Sequence, residues 1–164
     1  MNEKPTNDSP NPQVNQVNPQ SILSLHRILF IDHSRKKDAL LALADNLADS
    51  PQIKNRQELA VEILKREELM STAIGCGIAI PHVRLPSITD LVVTVGISRT
   101  DIVDFNPLDD EPVRLVIMIG AAYNQHAYYL QTLSWFSNRL KNRELRDALL
   151  QAQTEQEVYK LLVS

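Results

Sequence analysis

Residues 66–82 read REELMSTAIGCGIAIPH and place an arginine, two hydroxyl residues and two glycines ahead of a histidine. The neutral imidazole of His82 can attack phosphorus through one nitrogen when an acceptor holds the N–H of the other. Arg66 offers a planar set of N–H donors that matches the oxygens of a phosphoryl group. Because phosphoryl transfer needs mainly alignment and charge stabilisation, the segment predicts a histidine that carries phosphate.

The residues between this arginine and this histidine predict a loop that binds the phosphate. Gly75 and Gly77 allow backbone N–H groups to turn towards an anion. The hydroxyl groups of Ser71 and Thr72 add further donors. The same residue types also form turns that bind nothing, so a purely structural role is the alternative for all four.

Elements of alternating type must position this segment. The apolar run at 28–31 predicts a strand, and Ser34 is placed to cap the helix that follows, whose apolar residues recur at 40, 43, 44 and 47. Asn55 and Glu58 resemble a capping box that opens a second helix, which ends near Arg66.

The second half of the chain predicts the centre of the fold. Two nearly continuous apolar runs, 91–97 and 113–119, are typical of strands covered on both faces by helices. Apolar spacing predicts a helix over 125–140, and Thr154 with Glu157 predicts the cap of a last helix. The pattern therefore predicts the α/β class, with helices on both sides of the sheet.

Composition predicts a single soluble domain behind a tail. The first 20 residues contain five Asn, four Pro and three Gln, so we expect a disordered tail over 1–20 and a domain over 21–164. A net charge of −3 argues against nucleic acid or an anionic membrane as the main partner. The longest apolar run, 115–122, is far shorter than the roughly 18 residues of a spanning helix.

The single cysteine, Cys76, cannot form an internal disulfide bond, which suits a reducing cytosol. It has no neighbours at the spacing of a zinc site, so we expect a small buried side chain there and no metal site. The expected location is cytoplasmic.

The segment around His82 resembles the active-site signature of enzyme IIA of the bacterial phosphotransferase system, mannitol and fructose class. The similarity continues through IVDF at 102–105, DDEPV at 109–113 and LQTLS at 130–134, which resemble the nitrogen-regulatory branch. The resemblance implies the fold of that family, a mixed central β-sheet flanked by helices on both sides.

The resemblance also implies a function. His82 would accept a phosphoryl group from a phosphohistidine on the carrier protein HPr or its nitrogen-branch counterpart, Arg66 would help to hold it, and no cofactor would be needed. Members of the nitrogen branch regulate partner proteins through their phosphorylation state, and the partner here is not identified by the sequence. The alternatives are a sugar-specific component for fructose or mannitol, and a binding module that keeps the fold but seldom takes phosphate.

One position departs from the family pattern. The family places a second histidine beside the first, immediately before a leucine, and in the register of LQTLS that position is Tyr129. His126 lies one turn earlier on roughly the same helix face and could reach the site from there. Tyrosine donates a hydrogen bond but is a poor base near neutral pH, so we expect onward transfer or phosphate lifetime to differ. Ordinary structural roles are the alternative for both residues.

Overall fold

The structure is a computed structural model and describes residues 17–164. The predicted tail over 1–20 lies outside the described residues up to position 16. From position 17 the chain is folded, because Val17 is buried and the side chain of Asn18 caps a short helix that begins at Pro19. Folded structure is therefore present before residue 21.

Helices and strands alternate along the chain. The helices are α1 (Pro19–Ile22), α2 (Lys36–Ala48), α3 (Arg56–Leu69), α4 (His126–Arg139), α5 (Arg143–Gln151) and α6 (Glu155–Val163). The strands are β1 (Ile28–Ile31), β2 (Ala73–Gly75), β3 (Ile78–Ala79), β4 (His82–Leu85), β5 (Val92–Ile102) and β6 (Val113–Ala122). Each helix and strand predicted from residue 28 onward is present. Over residues 17–164, no helix is both long and apolar enough to cross a bilayer.

The six strands form one mixed sheet. At its centre β5 runs antiparallel to β6, and β1 lies parallel to β5 on the far side. Along its other edge, β6 pairs in parallel first with β3 and then with β4, while β2 pairs antiparallel with β3. The predicted α/β fold with a mixed central sheet is confirmed.

Each face of the sheet has its own hydrophobic core. On β6, Val116 and Met118 pack into the core under α2 and α3, whereas Ile117 and Ile119 pack into the core under α4, α5 and α6. This division follows from the alternation of side chains along a strand. The prediction that helices cover both faces of the central strands is confirmed.

Side-chain caps begin two of the predicted helices. Asn55 accepts a hydrogen bond from the Glu58 N–H at 3.0 Å, and Thr154 accepts one from the Glu157 N–H at 3.2 Å. The predicted cap of α2, Ser34, is wrong.

The N-cap residue of α2 is Arg35, and the side chain of Arg35 makes no capping hydrogen bond. Instead Asp104, 68 residues further along the chain, accepts the Lys36 N–H at 2.6 Å. A cap supplied from such a distance leaves no local pattern, because it exists only once the loop after β5 reaches α2.

Candidate active site

The edge of the sheet places His82 beside a break in strand pairing. Ala79 on β3 pairs with Val116, and the chain rejoins β6 only where His82 pairs with Ile119. Pro81 lies between these pairs and has no N–H to donate, although its carbonyl accepts the Ile119 N–H at 2.9 Å. His82 is therefore the first residue of β4, with a half-buried ring at the sheet edge.

One nitrogen of the His82 ring is fixed by the backbone. Nδ1 lies 2.6 Å from the carbonyl oxygen of Ile80. Since a carbonyl only accepts hydrogen bonds, Nδ1 carries the hydrogen and donates it. In the neutral ring, Nε2 then keeps its lone pair and is the nucleophilic nitrogen.

The surroundings keep the ring neutral. Burial is the main cause that lowers the pKa of His82 below its ordinary value of 6.5, and the guanidinium of Arg66 lowers it further. The Ile80 carbonyl and the carboxylate of Glu67 act in the opposite direction without reversing the shift. At neutral pH the imidazole is thus predominantly uncharged, which is the form that can attack phosphorus.

His82 lines an open pocket of about 730 Å³ between α3, β4 and α4. Its lining residues are Glu62, Lys65, Arg66, Glu68, Leu69, His82, Val83, Arg84, Leu85 and Tyr129. Arg66 lies in the last turn of α3 and donates a hydrogen bond to the Met70 carbonyl at 3.0 Å. It forms no ion pair with any carboxylate in residues 17–164, so its charge is available to an anion in the pocket.

The structure brings Tyr129, but not His126, to this site. The ring centroid of Tyr129 lies 5.4 Å from that of His82, with 60° between the ring planes. Burial raises the pKa of the Tyr129 phenol, so its O–H stays protonated and can donate a hydrogen bond. His126 is the exposed first residue of α4 and does not line the pocket, so the structure does not support its predicted reach to the site.

The hydroxyl groups of Ser71 and Thr72 serve the fold. Ser71 Oγ donates to the Phe105 carbonyl at 2.5 Å. Thr72 is buried, and both its Oγ1 and its backbone N–H donate to the carboxylate of Glu67, at 2.6 and 3.1 Å. The prediction that these two hydroxyls hold phosphate is therefore corrected: they fasten the segment after α3 to its surroundings.

The two glycines belong to the tight turn between β2 and β3. Gly75 and Gly77 have φ of +91° and +74°, values that favour glycine. Since Ile78 pairs with Leu115 and His82 pairs with Ile119, four residues of strand, roughly 13 Å, separate this turn from the histidine. The predicted phosphate loop is thus corrected to a turn distant from the site.

Cys76, at the tip of this turn, is exposed and not buried as expected. Its backbone N–H donates to Asp109 Oδ2 at 2.8 Å, and the other oxygen of Asp109 accepts the Glu111 N–H at 3.2 Å. The side chains of these three residues have ligand atoms within 4.8 Å of one another. The two hydrogen bonds explain this cluster as a carboxylate that fastens the turn to the loop before β6.

Arg84 is a charged pocket residue beside Tyr129 that the sequence analysis missed. Its guanidinium carbon lies 5.7 Å from the ring centroid of Tyr129 and 5.5 Å from that of Tyr123. The signal was available, because residues two apart on a strand share a face and Arg84 follows His82 by two positions. The site therefore combines a nucleophilic imidazole, a phenol O–H and two guanidinium groups.

Relatives of the chain are found by sequence along almost all of its described length. The family model described as "Phosphoenolpyruvate-dependent sugar phosphotransferase system, EIIA 2" matches residues 21–164. The fructose-specific EIIABC component of the phosphotransferase system from Bacillus subtilis (strain 168) is 34% identical over 142 residues, which cover 86% of this chain and 22% of that protein. The nitrogen regulatory protein of Klebsiella oxytoca is 30% identical over 152 residues, which cover 89% of this chain and 94% of that protein.

A solved structure shares the fold. The crystal structure of nitrogen regulatory protein IIA-Ntr from Neisseria meningitidis matches with a TM-score of 0.79 at 25% identity, covering 87% of this chain and 97% of that one. The chain thus spans nearly the whole length of the nitrogen regulatory relatives and about a fifth of the fructose-specific protein. The match of the family model over most of the chain shows that this chain belongs to the EIIA type-2 family of the phosphoenolpyruvate-dependent sugar phosphotransferase system.

Proposed function

We propose that this chain is a cytoplasmic phosphocarrier of the phosphotransferase system that accepts a phosphoryl group on Nε2 of His82 from a phosphohistidine on an HPr-like protein. Its phosphorylation state would then regulate a partner protein. The observation that carries the proposal is the hydrogen bond from Nδ1 of His82 to the Ile80 carbonyl. It leaves Nε2 as the free nitrogen of a ring that shares a pocket with Arg66.

The chemical step follows from this arrangement. Nε2 of the neutral His82 ring attacks phosphorus while the bond from phosphorus to the donor nitrogen breaks. That electron pair returns to the donor ring, which carries a hydrogen on its other nitrogen and so leaves as a neutral imidazole. The His82 ring gains positive charge, which the Ile80 carbonyl stabilises through Nδ1–H. Arg66 and the O–H of Tyr129 bind the equatorial oxygens, where the transition state carries its negative charge. The step moves no proton and needs no cofactor or metal ion.

A regulatory role is supported by the extent of the match to the nitrogen regulatory protein of Klebsiella oxytoca, 94% of whose length is covered. Phosphate on His82 adds negative charge to a surface pocket, and such a charge changes which protein surfaces can dock there. The partner that reads this change would contact α3, β4 and α4 around the pocket.

A direct test is phosphorylation in a purified system. The protein is incubated with phosphoenolpyruvate, enzyme I and an HPr-type carrier, and intact mass is measured. We expect one acid-labile phosphate on the wild type and on the control His126→Ala, and none on His82→Ala. If the carrier is phosphorylated and the wild type takes no phosphate, the proposal fails and the chain is a binding module with this fold.

A sugar-specific role is the second candidate, favoured by the 34% identity to the fructose-specific protein of Bacillus subtilis. The phosphorylated protein is mixed with a fructose-specific EIIB domain and, separately, with a mannitol-specific one. For a regulatory protein we expect the phosphate to stay on His82 in both mixtures. Rapid transfer to either domain would instead establish the sugar-specific role.

A further inference from the structure

We infer that Arg84 supplies a second guanidinium that binds the phosphoryl group on His82, and that the Tyr129 ring holds the Arg84 guanidinium in position. This inference rests on the proposed function of His82. In this chain, the role that the resemblance gives to a second histidine would be shared by two residues, the cation Arg84 on β4 and the aromatic ring of Tyr129 on α4.

The strand places Arg84 on the same face as His82. On β4, His82 pairs with Ile119 and Arg84 with Ala121, so the two side chains follow each other at the spacing of alternate residues, roughly 7 Å. Both are half-buried, whereas Val83 between them is buried in the core under α2 and α3. An arginine side chain is long enough to span that spacing, so its guanidinium can reach a phosphoryl group on the neighbouring histidine.

Arg84 is held without being neutralised. One of its nitrogens, Nη1, donates to the Tyr123 carbonyl at 3.1 Å, and its guanidinium carbon lies within 6 Å of the ring centroids of Tyr123 and Tyr129. An aromatic face attracts a cation but leaves its formal charge in place. Arg84 makes no ion pair in the described part of the chain, so its remaining N–H groups are free to bind an anion.

The acidic residues of the pocket do not occupy this position. Of the two carboxylates among its lining residues, Glu62 forms an ion pair with Lys65 at 3.5 Å, and Glu68 is exposed on α3. Arg66 on α3 and Arg84 on β4 therefore contribute two positive charges to the pocket with no carboxylate bound to either. A dianionic phosphoryl group matches that charge.

Tyr129 links the two residues. Its ring lies with its centroid 5.4 Å from the His82 ring and 5.7 Å from the guanidinium carbon of Arg84. A histidine at this position would lose its charge near neutral pH, whereas a guanidinium stays charged at every physiological pH. The phosphoryl group is thus held by permanent cations on both sides of the pocket.

The test compares initial rates of phosphoryl acceptance over a range of phosphorylated HPr-type carrier concentrations. Arg99 offers a matched control, because it also stacks on an aromatic ring, Phe30 at 4.1 Å, and donates to a backbone carbonyl, that of Ala152 at 3.1 Å. We expect Arg84→Gln to lower kcat about tenfold or more. Arg84→Lys should recover part of this loss, and Arg99→Gln should match the wild type.

A double-mutant cycle tests the role of Tyr129 as a positioning residue. Tyr129→Phe removes only the O–H, and Tyr129→Leu removes the ring as well, so the ratio of their kcat values measures the contribution of the ring alone. In the wild-type background we expect a lower kcat for Tyr129→Leu than for Tyr129→Phe. In the Arg84→Gln background this difference should be much smaller, because there is no guanidinium left to position. An equal difference in both backgrounds would overturn the positioning role.

The outcomes separate this inference from the proposed function. If the wild type accepts phosphate and Arg84→Gln accepts it with the same kcat, Arg84 does not bind the phosphoryl group. A rise in KM with unchanged kcat would assign Arg84 to docking of the carrier and would also overturn the inference. Should Arg84→Gln fail to fold, the same measurement is made on Arg84→Met, which also lacks the charge, and a kcat equal to that of the wild type would overturn the inference. If neither the wild type nor Arg99→Gln takes phosphate, the proposed function itself fails.

Discussion

The His82 ring has a fixed tautomer and a lowered pKa, and both properties are set by its immediate neighbours. The Ile80 carbonyl can hold the ring because only Pro81 separates the two residues, in the break in pairing between β3 and β4. Burial in the pocket then disfavours the imidazolium form. Nucleophilicity at neutral pH is therefore a property of the local backbone and of the partial burial of one side chain.

The protonation of His82 can be followed by NMR titration of its ring resonances. Since burial and the nearby Arg66 both lower its pKa, we expect a midpoint below 6.5 in the wild type. In Arg66→Gln a neighbouring positive charge is lost, so the midpoint should move upward. A wild-type midpoint at or above 6.5, or a downward move in Arg66→Gln, would contradict this description of the pocket.

Between elements, strand pairing decides which residues of the 66–82 segment meet. The turn between β2 and β3 carries the glycines away from the histidine, while β4 returns to β6 and brings Arg84 beside it. The buried carboxylate of Glu67 fixes the end of α3. It accepts hydrogen bonds from Thr72 and forms an ion pair with Lys36, with 3.7 Å between Nζ and Oε1. This carboxylate holds the helix turn that carries Arg66.

Gly77→Ala tests the structural role assigned to the turn. Gly77 has a φ of +74°, and an added Cβ would lie 3.2 Å from the Pro112 carbonyl oxygen. We expect a loss of about 1–2 kcal/mol in the free energy of unfolding, measured by urea denaturation. Phosphorylation of His82 in the folded variant should proceed at the wild-type rate. A large loss of that rate at unchanged stability would return the glycine to the phosphate site.

Periodicity was sufficient to predict α2, α3, α4, α6 and the central strands, because apolar spacing is a local property, whereas the short helices α1 and α5 were not predicted. The caps at Asn55 and Thr154 were predictable for the same reason. The cap supplied by Asp104 and the true partners of Thr72 were not, since both depend on contacts made only in the folded chain. The phosphate loop was predicted from proximity in sequence alone, and the strand pairing separates its glycines from the histidine.

At the candidate site, the sequence analysis named three residues that the structure places in one pocket, His82, Arg66 and Tyr129. It assigned Ser71 and Gly75 to the phosphate because hydroxyls and glycines suit anions, although one fastens a loop and the other shapes a turn. Arg84 was overlooked because β4 is only four residues long and its alternation was not considered. Short strands carry too few residues for a clear periodic signal.

For the whole molecule, the two cores on either face of the sheet hold the site elements at fixed positions. α3 belongs to one core and α4 to the other, and β4 at the sheet edge lies between them. The first described residues belong to the core that contains α4, because Val17, Ile22 and Leu23 are buried in that core.

Truncation tests the extent of the domain. We compare a chain that begins at residue 17 with one that begins at residue 24, by urea denaturation. The shorter chain loses three buried apolar side chains and should be less stable by roughly 3 kcal/mol or more. Equal stability of the two chains would show that residues 17–23 lie outside the domain.

The position of the phosphoryl group on the ring tests the central claim most directly. The ¹⁵N-labelled protein is phosphorylated by the HPr-type carrier, and long-range ¹H–¹⁵N correlation spectra identify the modified nitrogen of His82. Because Nδ1–H is held by the Ile80 carbonyl, we predict phosphate on Nε2 and an Nδ1 that keeps its hydrogen. Phosphate on Nδ1, or on any residue other than His82, would contradict the account.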